Sequence, residues 1–433
     1  MGSLEESLHV VIVGAGLGGL ALAIACRRQG FKVTVFEWAP KLLPIGDSIG
    51  FGCNSSRILE RWGLMPELEA LTCKAEFCAM NDWNGNHLGI DRAQGEAKAK
   101  YGVPSLVVHR GDAHQIFLDH AIKNGADVRL DAKVVDYDND KPSVTLQNGE
   151  VHIGDVVIAS DGVKSLGRKQ VLGYFDKPLH SGYSVWRAYV DASEYQNDPL
   201  VKKFVEKGDT FTLWIGKDVH AFVITTQDGG RINATMTHTD DADVEEGWMS
   251  PGYKKDILEN LKGADPSLVR VWELIPEDRI LDWKLVYRRC LDKWVADSGL
   301  VAIMGDAAHP FLPSSSQGGS QAIEDGATIA MCLAKAGKAN IPLALHTYFE
   351  IRHDHVLRAQ QAGITQRDKW HHNHDDDGKL VKEIKKSEED ILDEPILDSS
   401  ILWHHDAEKV CEEKYPAASA KVASKLGIAK VAS

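Results

Sequence analysis

The chain has 433 residues, 43% of them apolar, which is enough for one large hydrophobic core or for two to three domains. Lys and Arg number 49 against 63 Asp and Glu, and the formal net charge of −14 argues against nucleic acid or an anionic membrane as main partner. No stretch approaches ~18 consecutive apolar residues, and seven scattered cysteines without a C-x-x-C pair predict reduced thiols, so we expect a cytoplasmic protein without a membrane span.

The first predicted unit is a strand, a glycine turn, a helix and a second strand in "HVVIVGAGLGGLALAIACRRQGFKVTVFE", residues 9–37. Gly14, Gly16 and Gly19 form G-x-G-x-x-G, in which the glycines permit the turn, the approach of a pyrophosphate and close packing of helix on strand. Glu37 ends the second strand, where a carboxylate accepts hydrogen bonds from ribose hydroxyls. This combination predicts a dinucleotide site but leaves NAD and FAD open.

Further along the chain, two more α/β stretches, 107–138 and 154–162, precede a change of pattern. Residues 179–285 contain β-rich runs separated by turn residues, typical of an antiparallel sheet, before α/β patterning returns at "GLVAIMGDAAH". We therefore predict an α/β protein: a Rossmann-like FAD/NAD(P)-binding domain from 1–178 and 286–365, an inserted, mainly antiparallel β-sheet substrate domain at 179–285, and a helical or loop C-terminal region at 366–433. We expect a monomer or a homodimer.

Two more motifs accompany the glycine turn. "ASDGVKSLGRKQVLG" (159–173) contains D-G-x-x-S-x-x-R, and "MGDAAHPFLPSSSQGGSQAIEDG" (304–326) places a Gly-Asp pair, two prolines and a Gln-Gly-Gly turn before a predicted helix. With these motifs in this order, the chain resembles the class A FAD-dependent aromatic monooxygenases, which have the para-hydroxybenzoate hydroxylase fold. The resemblance covers residues 8–365 and is closest to the fungal salicylate-hydroxylase-like branch, whose C-terminal pattern matches "LWHHDAEK" at 402–409.

The resemblance implies FAD as the cofactor. It adds to the glycine turn and Glu37 the following cofactor-binding residues: Arg110, Asp161, Gly305, Asp306, Gly318 and Gly319. In the family the acid matching Asp306 binds the ribityl chain, and the next helix points its N-terminus at the N1–C2=O edge of the ring, where it stabilises negative charge. This sequence departs from the family at Ser316, where Gly is usual, and at Gly319, where Ala is common.

Three residues are candidates for catalysis. Pro313 matches a family proline whose carbonyl lies near the oxygen-carrying face of the flavin. Arg187, in "VWRAYV", matches an arginine beside the flavin that orients substrate or stabilises the peroxide, and Asp47 could orient substrate or relay a proton. Each has a simpler alternative, because Arg187 could face outward from its strand and Asp47 could be a turn aspartate. The histidine-rich stretch 370–378 lacks the spacing of one coordination sphere, so we predict no metal.

The resemblance implies an enzyme in which NADPH or NADH, docking transiently, reduces the flavin, and O2 then forms a flavin C4a-hydroperoxide. One oxygen atom is transferred to an electron-rich small aromatic substrate, a phenol or hydroxybenzoate. An alternative on the same fold is an indole-alkaloid 2,3-epoxidase or hydroxylase of fungal secondary metabolism. Two readings of another class also stay open, a two-domain NAD dehydrogenase and a flavin-binding module without catalysis.

Overall fold

A computed structural model describes residues 7–42, 46–138, 140–240, 250–372 and 399–428. Eighteen strands lie in these ranges: β1 (His9–Val13), β2 (Lys32–Phe36), β3 (Ser48–Phe51), β4 (Cys78–Asp82), β5 (His87–Asp91), β6 (Leu106–His109), β7 (Asp127–Arg129), β8 (Val134–Asp138), β9 (Ser143–Leu146), β10 (Val151–Ile153), β11 (Val156–Ala159), β12 (Leu179–Asp191), β13 (Phe211–Gly216), β14 (Val219–Thr226), β15 (Arg231–Thr239), β16 (Ser250–Pro251), β17 (Leu281–Tyr287) and β18 (Val301–Ile303).

Thirteen α-helices lie in the same ranges: α1 (Leu17–Arg28), α2 (Cys53–Trp62), α3 (Met65–Leu71), α4 (Ala93–Tyr101), α5 (Arg110–Lys123), α6 (Leu166–Leu172), α7 (Lys202–Val205), α8 (Lys254–Asn260), α9 (Pro266–Leu274), α10 (Gly318–Ala336), α11 (Ile341–His372), α12 (Ser399–His404) and α13 (Ala407–Leu426). Over the described part of the chain, none of these helices combines the length and apolar character needed to cross a membrane.

The nucleotide-binding core is a five-stranded parallel sheet with the strand order β18-β11-β1-β2-β7. Its central strands are continuous buried runs, "VVIV" in β1 and "VVIA" in β11, as expected of strands covered on both faces. Helices α1 and α10 pack against each other and share their buried apolar residues with this sheet. The prediction of an α/β Rossmann-like fold is confirmed.

The second large sheet has eight strands in the order β16-β17-β12-β15-β14-β13-β4-β5. All of its strand pairs are antiparallel except β13 with β4, in agreement with the predicted mainly antiparallel sheet. Strands β4 and β5 come from residues 78–91, within the predicted first domain 1–178, and they were not anticipated in this sheet. The domain boundaries themselves stay a prediction.

The two faces of this sheet have different neighbours because side chains alternate along each strand. Trp186, Trp214 and Met236 point to one face, where they pack against buried residues of α8 and α9. Val185, Leu213 and Thr237 alternate with them and line a cavity on the opposite face. The long helix α11 and the short helix α12 contribute to the same cavity, so the C-terminal region packs over the cavity side of the sheet.

Candidate functional site

The glycine turn after β1 has the space that a dinucleotide pyrophosphate needs. Gly14 has φ of +100°, and a Cβ there would lie 2.4 Å from Ser160 O. A Cβ at Gly19 would lie 2.0 Å from Gly14 O, so packing of α1 against the turn requires Gly19, just as packing of the turn against Ser160 requires Gly14. By contrast, a Cβ at Gly16 would meet no protein atom within 4 Å, which leaves an open approach to the helix N-terminus.

Glu37 follows β2 and is fixed against the glycine turn. Its Oε2 accepts a hydrogen bond from Ala15 N at 2.8 Å, and its Oε1 accepts one from Ala39 N at 3.0 Å. Each carboxylate oxygen keeps a second lone pair for a further donor, as recognition of ribose hydroxyls requires. The backbone and the carboxylate of this turn therefore fit the adenosine half of a dinucleotide.

Asp161, in the D-G-x-x-S-x-x-R motif, stabilises the start of α6. Its carboxylate accepts hydrogen bonds from the Tyr137 hydroxyl at 3.0 Å, from Leu166 N at 2.9 Å, from Gly167 N at 3.0 Å and from the Ser165 hydroxyl. Burial raises the pKa of Asp161, and these donors oppose the shift. Because four protein donors converge on the carboxylate, its direct contact with the cofactor stays a prediction.

Arg168, the last residue of that motif, lies in the first turn of α6 and is buried. Its side chain is 1% exposed and donates to Asp176 at 2.8 Å, to the carbonyls of Ala307 at 3.2 Å and Ala308 at 3.0 Å, and to Arg289 O at 3.1 Å. The guanidinium thus holds the backbone on the C-terminal side of Asp306. The motif spacing was the available signal in the sequence, but the three carbonyl acceptors of Arg168 lie more than a hundred residues away.

Asp306 lies on a 3-10 turn, Gly305–Ala307, that other buried polar groups also hold in place. Asp325 on α10 accepts from Gly305 N at 3.0 Å and lies 2.6 Å from His309 Nε2. The Asp306 side chain itself is exposed, yet the protein around it removes enough water to raise its pKa, an effect that Arg110 and His309 oppose. Asp306 and Arg110, two predicted contacts of FAD, are therefore brought together.

The proline–glycine segment leads directly into α10. Pro313 begins a 3-10 turn that ends at Ser316, which has φ of 49°, a left-handed conformation in which the family's usual glycine is easily accommodated. Helix α10 begins at Gly318, so the backbone N–H groups of its first turn point toward this segment. A Cβ at Gly319 would lie 3.1 Å from Ile49 Cδ1, a tight contact that explains why glycine suits this chain.

The predicted catalytic residues Arg187 and Asp47 are close in space. Arg187 is 2% exposed, its guanidinium carbon lies 5.4 Å from the ring centroid of Trp283, and it is on the cavity-facing side of β12. Burial lowers the pKa of Arg187, the Asp47 carboxylate raises it, and the Arg110 guanidinium lowers it further. Arg110 N donates to Asp47 O at 2.9 Å. The outward-facing alternative for Arg187 is wrong.

The cavity has a volume of about 420 Å³ and brings together segments from the whole described chain. Asp47 and Pro313 line it, whereas Arg187 is not among its lining residues. Its wall is rich in aromatic side chains that the sequence did not single out: Phe51, Phe211, Phe222, Trp283, Trp370 and Trp403. Among the described lining residues the charged side chains are Asp47 and Asp91, without a lysine or an arginine.

One wall of the cavity carries a buried histidine pair. His220 on β14 lines the cavity, and its Nδ1 lies 2.7 Å from Nε2 of His371 at the end of α11. Burial lowers the pKa of His220 well below the usual value, and His371 adds to the shift, so His220 is neutral at pH 7. Of the histidine-rich stretch 370–378, the part from 373 onward lies outside the described residues.

A different group of side chains has metal-ligand character. Glu324, His355 and His405 place three ligand atoms within 4.8 Å of one another. Burial raises the pKa of Glu324, but the neighbouring His405, Arg352 and His355 outweigh it and hold the pKa well below the usual range. Because the Arg352 guanidinium contacts the same carboxylate oxygen as both histidines, it compensates the charge of Glu324 and disfavours a metal cation there.

Comparison with known proteins agrees with this geometry. A family described as an FAD binding domain matches residues 7–362. The chain is 30% identical over 435 residues to the FAD-dependent monooxygenase nodY2 of Hypoxylon pulicicidum, covering 93% of this chain and 90% of nodY2. It is 32% identical over 393 residues to asperlicin C monooxygenase of Petromyces alliaceus, covering 84% and 81%.

Among solved structures, the chain is similar to CtdE in complex with FAD and substrate 4, with a TM-score of 0.84, 25% identity, and coverage of 96% of this chain and 100% of CtdE. The match to the family extends over most of the chain, and the glycine turn with Glu37 fits a bound dinucleotide. The chain therefore belongs to this FAD-binding family and is an FAD-dependent monooxygenase of the class A flavoprotein type that its motifs predict.

Proposed function

We propose that this monooxygenase takes electrons from NADPH or NADH and transfers one oxygen atom of O2 to an electron-rich aromatic ring. Bound FAD supplies the oxygen-transfer chemistry by way of a C4a-hydroperoxide. An electron-rich aromatic ring attacks this electrophilic oxygen readily. The observation that carries the proposal is that one segment, Pro313–Gln317, both lines the aromatic cavity and leads into the N-terminus of α10. This supports the proposal, because an aromatic ring in the cavity lies near the segment that we expect to contact the flavin.

The protein's own residues have distinct parts in this proposal. Asp306, held by Arg168 and Asp325 through its neighbours, binds the ribityl chain. The free N–H groups at the start of α10 stabilise negative charge on the reduced isoalloxazine. Arg187 orients the substrate or stabilises the oxygen that leaves as the O–O bond breaks, and Asp47 sets the charge around it.

The cavity lining favours the indole-type substrate over a hydroxybenzoate. A carboxylate needs a cationic partner when it leaves water, and the described lining offers two aspartates and no lysine or arginine, while the nearby Arg187 has the Asp47 carboxylate as an opposing charge. Three tryptophans and three phenylalanines instead suit a neutral aromatic ring system, which stacks on them edge to face or offset.

The test is a substrate panel on the purified, FAD-loaded protein. Indoles, phenols and hydroxybenzoates are added with NADPH or with NADH, and reductant consumption, oxygen consumption and product mass are followed together. We expect an indole-type substrate to accelerate NAD(P)H oxidation and to yield a product one oxygen atom heavier. A hydroxybenzoate attacked at the carboxyl-bearing carbon would exchange its carboxyl for oxygen. Turnover that continues without O2, or no acceleration by any aromatic compound, would overturn the proposal.

A further inference from the structure

The segment Leu402–Lys409, here called the C-terminal wall, contains the "LWHHDAEK" pattern for which the FAD site provides no role. Leu402 and Trp403, at the end of α12, both line the cavity. The Trp403 ring edge reaches the backbone next to α2, because a Cβ built on Gly52 would lie 2.8 Å from Trp403 Nε1. Its ring also meets Tyr101 edge to face at a centroid distance of 5.4 Å.

The C-terminal wall is fastened to α2 by two arginines. Arg57 donates to the carbonyl of Trp403, to His405 O at 3.2 Å and to Tyr101 O at 3.0 Å. One turn later, Arg61 forms ion pairs with Asp406 and Glu408. A guanidinium that binds two carbonyls on one short segment fixes the backbone, and therefore the direction of the Trp403 side chain.

A second set of contacts joins the same segment to the start of α10. His405 Nδ1 lies 3.2 Å from Glu324 Oε2, and the other oxygen of this carboxylate accepts from Asn54 at 2.7 Å. Asn54 also donates to Gln317 at 3.2 Å. Gln317 lines the cavity and precedes α10, so a continuous buried polar network connects the C-terminal wall with the segment that we place beside the flavin.

We propose that Trp403 is a specificity-determining residue, which sets the size and orientation of the aromatic substrate, and that Arg57 is its positioning residue. This inference rests on the proposed function, since it takes the cavity as the substrate site. A volume of about 420 Å³ lies within the ~300–1,000 Å³ of pockets for drug-sized ligands, so the cavity holds a polycyclic ring system in contact with several walls. Removing the Trp403 ring enlarges it on the C-terminal side.

The experiment compares Trp403→Ala, Trp403→Phe and Arg57→Gln with wild type and with Tyr253→Ala, a surface aromatic that is 57% exposed. The first readout is the dissociation constant of the best aromatic substrate for the oxidised, FAD-loaded protein, followed by the change in flavin absorbance without reductant. We expect Trp403→Ala to weaken binding about tenfold, equivalent to ~1.4 kcal/mol. Trp403→Phe should recover part of the loss, and Tyr253→Ala should match wild type.

Steady-state kinetics give the second readout. Trp403→Ala should raise KM more than it lowers kcat, release more peroxide per NAD(P)H, and accept bulkier ring systems than wild type. Arg57→Gln should show the same KM effect at an unchanged FAD dissociation constant, because it removes the support and not the cofactor site. Wild-type affinity, KM and substrate range in an FAD-loaded Trp403→Ala protein would overturn the inference. A wild-type protein that no aromatic compound stimulates would instead overturn the proposed function.

Discussion

Arg168 offers the sharpest test of how the FAD site is built, because its guanidinium holds the turn that carries Asp306 without being a predicted FAD contact. Arg168→Met keeps the approximate length of the side chain and removes all of its donors. It deletes the two bonds to Ala307 O and Ala308 O, the bond to Arg289 O and the ion pair with Asp176. The carbonyls lose a buried donor, and the turn loses its support from α6.

The size of the stability loss depends on the contacts that remain in the Arg168→Met protein. Asp176 keeps Arg288 at 3.3 Å, and Gly305 keeps its bond to Asp325, so the loss is limited to one broken buried pair, about 3–5 kcal/mol of unfolding free energy. If the displaced turn also costs the charge-assisted bond of Asp306 to FAD, about 1.5–3 kcal/mol, the FAD dissociation constant rises roughly 10- to 150-fold.

The assay combines chemical unfolding of the apo protein with titration of FAD followed by flavin fluorescence. Arg270→Met is the matched control, since Arg270 also pairs with two acids, Asp198 and Glu273, but lies on the surface of the sheet domain. We expect the control to leave FAD affinity unchanged. A folded Arg168→Met protein that binds FAD as tightly as wild type would refute the role of Arg168 in supporting the Asp306 turn.

Variants of Arg187, Asp306 and the two turn glycines, and of His355 outside the cavity, test the remaining assignments. Arg187→Ala should lower kcat by about 10²–10³-fold if the guanidinium stabilises the leaving oxygen. If the guanidinium only orients substrate, the variant should raise KM at constant kcat. Unchanged kcat, KM and coupling in steady-state assays would show that Arg187 is a structural residue. Asp306→Ala should weaken FAD binding by about 1.5–3 kcal/mol, measured by titration of the protein with FAD. Asp297→Ala, which removes an exposed aspartate, is the control. Equal FAD affinities of the two variants would count against Asp306 as an FAD contact. Gly19→Ala should destabilise the apo protein by about 1–3 kcal/mol or more, because its Cβ meets Gly14 O. Gly16→Ala should leave the thermal stability of the apo protein unchanged and weaken FAD binding. Equal losses of apo stability in the two variants would contradict the turn geometry. Burial lowers the pKa of His355 to about 4, below its unfolded value of about 6.5. Between these pH values the unfolded state therefore binds more protons than the folded state. The free energy of unfolding falls as pH drops through that window, by on the order of 3 kcal/mol. His355→Gln should show a shallower loss in pH-dependent unfolding, and parallel curves would exclude this origin.

Much of the cofactor site was predictable, because its elements are local in sequence. The glycine spacing, the strand before it and Glu37 after the next strand belong to one unit of 29 residues, 9–37, and the Asp306 turn lies within five residues of β18. The backbone conformation of such units is set by neighbours a few positions away. Strand alternation likewise predicted a single face for Arg187, and the structure shows that this face is the one toward the cavity.

The substrate cavity was not predictable in the same way. Its walls come from β4, β12, β14, the Pro313 segment, α11 and α12, which are separated by up to several hundred residues. The pattern of β4 and β5 is compatible with many pairings, and only packing selected β13 as the neighbour of β4. Trp370 and Trp403 carry no local signal of a binding role, because a tryptophan in a helix has the same pattern in a core as beside a ligand.

The sequence by itself therefore determined the FAD-binding fold, the cofactor and the monooxygenase family, because short-range constraints on glycine, proline and acidic side chains require particular turns. Tertiary structure alone decided that Arg168 supports the Asp306 turn and that Trp403 lines the cavity. The physical reason is that buried hydrogen bonds and apolar contacts join whichever groups the packed layers bring within a few ångströms. Sequence distance does not limit those contacts.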